Sequence, residues 1–279
     1  MAKIRLFASD LDGTLLQRNG ELSPCTKEML EKLKESGCLI MINSGRPFYS
    51  IDRVVDPSLP DIVSGMNGQQ IRFSASGEII RKPEITLVQT AYLLQLLDRY
   101  PVFLACSEGT QFHHYCSKKQ MLFRFTYIAA RHAGSFLLRR HQFPRTIRTD
   151  TSALTNTGHE KICFASFHPV LEKIRRQLDP EEFSAFYVHP TWLEVQTAGV
   201  SKGNALRTVM ERLHISREEC AAAGDGENDA SMLEAAGIAI VPKDGMRQAK
   251  EKASVITDTC DHDGIAAWIE EYLKNESGK

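Results

Sequence analysis

The chain has 279 residues, room for about two domains. Hydrophobic residues make up 42% and charged residues 25%, ordinary globular proportions that exclude collagen-like and disordered classes. With 34 basic and 35 acidic residues the net charge is −1, which argues against a broadly electrostatic nucleic-acid binder. No apolar run approaches the roughly 18 residues of a membrane span, so none is expected. The opening residues, Met1 to Phe7, lack the apolar core and cleavage site of a secretory signal. The seven cysteines (Cys25, Cys38, Cys106, Cys116, Cys163, Cys220, Cys260) form no C-x-x-C pair, which predicts reduced thiols in a cytoplasmic protein.

In chain order, residues 4–9 read as a buried strand ending in the turn Asp12-Gly13-Thr14. Ser23-Pro24 opens a helix striped by Met29, Leu30 and Leu33 and stopped at Gly37. A second strand spans 39–43, a helix runs from Ser44-Gly45-Arg46 to Val55, and a third strand covers 61–64. This alternation predicts a parallel sheet with right-handed crossovers. Residues 69–73 and 78–81 flank Ser74-Ala75-Ser76-Gly77 as a hairpin. Thr86 caps an apolar helix, and strands are expected at 102–106, 162–167, 185–188 and 193–195, with helices near 118–132 and 170–178. The stretch 134–160, rich in Arg, Thr and His, stays unassigned. After Ser201 the α/β rhythm returns: helices at 201–213, 228–236 and 264–273, strands at 220–223, 238–241 and 255–257. The first and last thirds therefore read as one α/β domain, and the middle as an α+β insertion.

Four segments carry candidate chemistry. In Asp10-Leu11-Asp12-Gly13-Thr14 two carboxylates two residues apart share one face at a strand end, where open α/β sheets bind ligands. Close carboxylates are costly without a cation or a shared proton. An Asp-rich helix-capping turn is the rival reading of that pentapeptide alone. Gly224-Asp225-Gly226-Glu227-Asn228-Asp229 adds two carboxylates at another strand end. Its Gly-x-Gly start mimics a dinucleotide fingerprint, but Asp229 stands at the third glycine position, and an oxygen-rich acidic cluster suits Mg2+. Ser44-Gly45-Arg46 offers a hydroxyl, a backbone N–H and a guanidinium, all able to meet phosphate. Lys202 opens a helix, where a cation is unfavourable unless an anion offsets it. Taken singly, the last two read as a loop and a solvated Lys.

Together, in this order, the four segments resemble the haloacid-dehalogenase (HAD) superfamily. The pair Asp-Leu-Asp-Gly-Thr-Leu-Leu at 10–16 and Gly-Asp-Gly-Glu-Asn-Asp-Ala-Ser-Met-Leu at 224–233 carries the resemblance. With Gly65-Met66-Asn67-Gly68 and Gly199-Val200-Ser201-Lys202-Gly203, the chain is similar to the Cof-type (subfamily IIB) sugar-phosphate phosphatases. The resemblance implies a Rossmann-like parallel-sheet core at 1–82 and 191–279, with an inserted α+β C2-type (C2B) cap at 83–190. It implies Asp10 as nucleophile and Asp12 as acid and base. It also implies Mg2+ held by Asp10, the Asp12 carbonyl, Asp225 and Asp229, with phosphate held by Leu11, Ser44, Gly45, Lys202 and Asn228. Arg46 and Asn67 are candidates for substrate contact. Asp12 speaks against a dehalogenase, because carbon–halogen displacement needs no leaving-group acid and that branch of the superfamily lacks this second Asp.

The expected activity is Mg2+-dependent hydrolysis of a small phosphorylated metabolite, with no nucleic-acid or membrane partner. The alternatives are a phosphomutase of the phosphomannomutase type and a catalytically idle phosphate-binding regulator. Two departures from the family pattern, Pro242-Lys243-Asp244-Gly245 and Cys260 ahead of Asp263-Gly264, fall at the expected rim of the site. Cap candidates for substrate choice are Glu108, His113, His114, Tyr115, His189 and Trp192, although aromatic residues in a sheet are usually packing. His113-His114 has no third metal ligand at suitable spacing. Arg131, Arg139, Arg140, Arg145 and Arg148 form a basic segment that reads as a solvated face or as an attractor for an anionic substrate. Hinges are expected near residues 81–83 and 190–191.

Overall fold

A computed structural model of the chain describes residues 3–108, 111–117, 147–148 and 150–277. They divide into two compact units, residues 1–82 with 200–279, and residues 83–199.

The first unit contains β1 (Leu6–Ser9), α1 (Pro24–Glu35), β2 (Leu39–Asn43), α2 (Phe48–Ile51), β3 (Ile62–Gly65), β4 (Gln70–Phe73) and β5 (Ile79–Arg81). The second unit contains α3 (Leu87–Arg99), β6 (Phe103–Glu108), β7 (Gln111–Cys116), β8 (Ile147–Arg148), β9 (Ile162–Ala165), α4 (His168–Arg175), β10 (Phe183–His189) and β11 (Trp192–Thr197). The chain then returns to the first unit with α5 (Lys202–Leu213), β12 (Cys220–Ala223), α6 (Ala230–Ala235), β13 (Ile238–Pro242), α7 (Arg247–Lys250), β14 (Val255–Thr257) and α8 (Gly264–Ser277).

The sheet of the first unit runs β14-β13-β12-β1-β2-β3-β4-β5. From β14 to β3 every pairing is parallel. The expected hairpin joins this sheet as two antiparallel edge strands, so the sheet is mixed. β1 and its neighbours are apolar on both faces because helices cover both. Phe7, Ile40, Ile42 and Val63 pack with Met29, Leu30 and Leu33 of α1 and with Ile265 and Ile269 of α8. Leu6, Ala8 and Met41 pack on the opposite face with Leu206 and Val209 of α5 and Leu233 of α6. Ser23 caps α1 by accepting the Thr26 N–H at 2.9 Å, with Pro24 at the first helical position.

The second unit has a six-stranded sheet in the order β10-β11-β9-β6-β7-β8, with the Leu93, Leu96, Leu97, Leu171 and Ile174 side chains of α3 and α4 packed against Leu104, Phe164 and Leu193. Its pairings are antiparallel except β7 with β8. Thr86 and Gln89 form a reciprocal capping box at α3.

Three expectations change. The boundary placed at 190/191 falls inside the β10–β11 hairpin, in which Phe183 pairs with Thr197 and His189 with Trp192. β11 also pairs with β9, so the unit extends to Gly199. The helix expected to reach Val55 ends at Ile51 and gives way to turns in which Val54 and Val55 both donate to the Ile51 carbonyl. β7, unassigned from sequence, is a strand because it extends β6 through a hairpin. The helix expected near 118–132 lies outside the described residues. Among the described residues no helix is long and apolar enough to cross a membrane.

Candidate active site

Three parallel strands and one helix start converge within the first unit. β1 delivers Asp10, β2 delivers Ser44, β12 delivers the 224–229 loop, and α5 begins at Lys202. Side chains are concentrated at carboxyl ends because neighbouring parallel strands finish together there, leaving loops free to carry polar groups.

Lys202 ties the segments together. It is fully buried, and its Nζ donates to Asp229 Oδ1 at 2.6 Å and lies 2.7 Å from Asp10 Oδ1. Asp229 is also fully buried, and its second oxygen accepts the Gly226 N–H at 2.8 Å and the Asp225 N–H at 3.1 Å. One carboxylate thus shapes its own loop and holds the lysine. Asp225 accepts the Thr14 hydroxyl at 2.9 Å, joining the two acidic segments. Gly13 has φ +80°, and a Cβ there would stand 2.5 Å from Asp225 Oδ2, so this turn requires glycine. The side chain of Leu11 is buried in the core, and its carbonyl accepts the N–H groups of Thr14, Leu15 and Leu16.

Asp10, Asp225 and Asp229 each bring one oxygen within 4.8 Å of the others. Among the described residues this is the one group of three Asp, Glu, His or Cys side chains close enough to share a metal ion. Hard oxygen donors of this kind suit Mg2+. Burial raises the Asp10 carboxyl well above its ordinary value; Lys202 opposes that shift, and Asp229 and Asp225 add to it. Asp225 rises from 3.8 to about 7, again chiefly through burial and then through repulsion from Asp229. Between those two values the folded metal-free protein holds protons that the unfolded chain releases. Its stability should therefore fall as pH rises from about 4 to about 7, and a divalent cation should offset the loss by favouring the ionised form. The expected result is a larger Mg2+-induced rise in Tm at pH 7.5 than at pH 5. Equal shifts at both pH values would refute it.

A second group surrounds Ser44. Its backbone carbonyl accepts the Asn67 N–H at 2.9 Å, and the Arg46 carbonyl accepts the Met66 N–H at 2.9 Å. Met66 and Asn67 have φ of 53° and 56°, left-handed conformations uncommon for non-glycine residues. The Asn67 side-chain oxygen accepts from Asn228 at 3.1 Å, linking this turn to the acidic loop. Asn43, at the end of β2, donates to the Lys202 carbonyl at 2.9 Å and so anchors the start of α5. Its role was not read from sequence; the available signal was an amide closing an otherwise apolar strand.

Arg46 departs most from expectation. It forks onto Asp12, with Nε to Oδ2 and Nη2 to Oδ1 both at 2.6 Å. The Asp12 carboxylate is not one of the three clustered ones.

Of the contacts near the two departures, one reaches the acidic loop. The Met246 N–H donates to the Asp225 carbonyl at 2.7 Å, so the turn after β13 supports the acidic loop. Arg18 pairs with Asp244 at 2.8 Å and with Asp261 at 3.3 Å. Asp263 accepts from the hydroxyls of Ser23 and Thr26 at the start of α1.

In the second unit Tyr115 is fully buried in the core, so its candidacy for substrate contact gives way to packing. His114 meets Trp192 edge-on at 6.3 Å, and burial lowers its pKa. His113 and His114 are successive residues of a strand and project to opposite faces. His189 contacts the Thr191 hydroxyl at 2.9 Å. Arg148 reaches the Tyr115 hydroxyl at 3.3 Å. The Glu108 side chain and Arg131, Arg139, Arg140 and Arg145 lie outside what is described.

The family model for haloacid dehalogenase-like hydrolases matches residues 7–269. The chain is 26% identical over 278 residues to the 5-amino-6-(5-phospho-D-ribitylamino)uracil phosphatase YcsE of Bacillus subtilis, covering 97% of this chain and 96% of that one. It is 25% identical over 286 residues to the HMP-PP phosphatase of Yersinia enterocolitica, covering 97% and 96%. Its fold is similar to a solved haloacid dehalogenase-like hydrolase from Bacteroides thetaiotaomicron, with a TM-score of 0.73, 26% identity, and 97% and 100% of the two chains covered.

Proposed function

The chain belongs to the haloacid dehalogenase-like hydrolase family, and from that membership we propose that it hydrolyses small phosphomonoesters with Mg2+ bound, by way of an aspartyl phosphate on Asp10. The observation that carries the proposal is the buried Asp10 carboxylate beside Lys202 at 2.7 Å, with a second aspartate two residues away and two more carboxylates closing a metal-sized cluster. The named activities of the relatives, both phosphatases of small phosphorylated compounds, support the same class.

In this mechanism an Asp10 oxygen attacks phosphorus, and the P–O bond to the leaving alcohol breaks. Asp12 gives its proton to the departing oxygen and then takes one from the water that attacks the aspartyl phosphate. That water expels Asp10 and releases inorganic phosphate. Lys202, the Ser44 hydroxyl and the Gly45 N–H would hold the transferring oxygens, with Asn228, which donates to Asn67, helping to orient the phosphate. Asp10, the Asp12 carbonyl and Asp225 would hold the metal, with Asp229 orienting the loop through its bonds to the Asp225 and Gly226 N–H groups. When bound, Mg2+ would neutralise the meeting of an anionic nucleophile with an anionic phosphate. The six buried thiols suit a reducing compartment such as the cytoplasm.

The test is phosphate release from a panel of phosphorylated sugars, nucleotides and vitamin precursors. Turnover should vanish with EDTA and return with excess Mg2+. Activity that persists in EDTA would sink the metal assignment, and silence across the panel with Mg2+ would sink the hydrolase.

A further inference from the structure

We propose that Arg46 is the positioning residue of Asp12, and that it serves leaving-group protonation rather than the grip on phosphate. The inference rests on the reading of Asp10 as nucleophile and Asp12 as acid. The Asp12 side chain is 57% exposed and that of Arg46 25%, so the pair contributes little stability. An exposed Asp side chain otherwise samples several rotamers. Two parallel 2.6 Å bonds select one of them, because the planar fork fixes both the direction and the plane of the carboxylate.

Arg46 is itself held from behind. Its N–H donates to Ser44 Oγ at 3.2 Å, and its carbonyl accepts the Met66 N–H at 2.9 Å. A Cβ on Gly65 would come within 3.1 Å of that carbonyl, so the turn after β3 closes tightly against it. The left-handed Met66 and Asn67 thereby acquire a purpose: they set the backbone from which the fork reaches Asp12. Nε and Nη2, the face a guanidinium would offer a phosphate side-on, are already committed. Phosphate contact then falls to Ser44, Gly45 and Lys202.

Leaving groups separate the two roles. Departure of an alkoxide needs a proton from Asp12, whereas departure of p-nitrophenolate scarcely does. The quantity to measure is kcat/KM with Mg2+, which ends at the first irreversible step and is blind to later hydrolysis of the aspartyl phosphate. Arg46→Gln should lower kcat/KM for an alkyl phosphate about 100-fold and for p-nitrophenyl phosphate only about threefold. Arg46→Lys, which keeps the charge and loses the fork, should fall between wild type and Arg46→Gln on the alkyl ester. In an Asp12→Asn background, Arg46→Gln should cost nothing further. Equal losses on both substrates would assign Arg46 to phosphate binding and overturn the proposal, as would a Lys variant with full alkyl activity. Failure of the Asp10 reading would show separately, as turnover retained in Asp10→Asn.

Discussion

Asp10→Asn should abolish phosphomonoester hydrolysis, by about 10⁴-fold or more in kcat, while leaving the protein as stable as wild type or more so in the absence of metal. The two halves come from the same geometry. An amide has no anionic oxygen to attack phosphorus, so the aspartyl phosphate cannot form. Yet the side chain keeps its shape, and Lys202 keeps Asp229 as a counter-ion at 2.6 Å. What disappears is a buried carboxylate whose ionised form is opposed by burial and by Asp229 and Asp225. Removing such repulsion at an active site commonly raises stability while removing function. The paired measurement is phosphate release under saturating substrate and thermal unfolding in EDTA at pH 7.5. A large fall in Tm would mean that Asp10 is chiefly a structural partner of Lys202. Retained turnover would remove it as nucleophile.

Much of this was legible in sequence because parallel-sheet enzymes expose chemistry at strand ends. Asp10, Ser44 and the 224–229 loop each follow a short apolar run, and that pattern alone predicted where they stand. Lys202 was legible as a cation at a helix start with no local reason to be there. Its two carboxylate partners were not, since they lie 192 and 27 residues away and nothing local pairs them. The Arg46 fork was hidden for a related reason. A guanidinium beside Ser44 reads equally well toward phosphate or toward Asp12, and its partner lies 34 residues away, with the 65–68 turn holding the Arg46 carbonyl. That turn was hidden too, because Met66 and Asn67 have no intrinsic preference strong enough to announce successive left-handed residues. The insertion boundary slipped because Trp192–Thr197 has the same alternation whichever sheet it joins; its register with β9 and β10 assigns it.

The largest stability effect is expected from Lys202→Met. The side chain is fully buried between two carboxylates, and its attraction is the chief force opposing the rise of the Asp10 pKa. Asp10 and Asp229 raise the Lys202 pKa in turn, against a burial effect that would lower it. A group with a raised folded pKa stabilises below its unfolded value, so the lysine contributes across the whole acidic and neutral range. Removing one member of a buried ionic group leaves uncompensated charge, at a cost of about 3–5 kcal/mol. For a chain of this size that corresponds to a fall in Tm of roughly 10 °C. The loss should also depend on pH. Without the ammonium, Asp10 holds its proton to higher pH in the folded state, so the variant loses further stability as pH climbs from 5 to 7.5. The gap to wild type should therefore widen over that interval in EDTA, and Mg2+ should narrow it by supplying the missing positive charge. Hydrolysis, measured well below the variant's Tm, should still fail with Mg2+ present, because in the proposed mechanism the metal does not replace Lys202 as a donor to the transferring oxygens. A variant within about 1 kcal/mol of wild type at pH 7.5, or a deficit flat across pH, would show that the buried ion group is not what joins these strand ends.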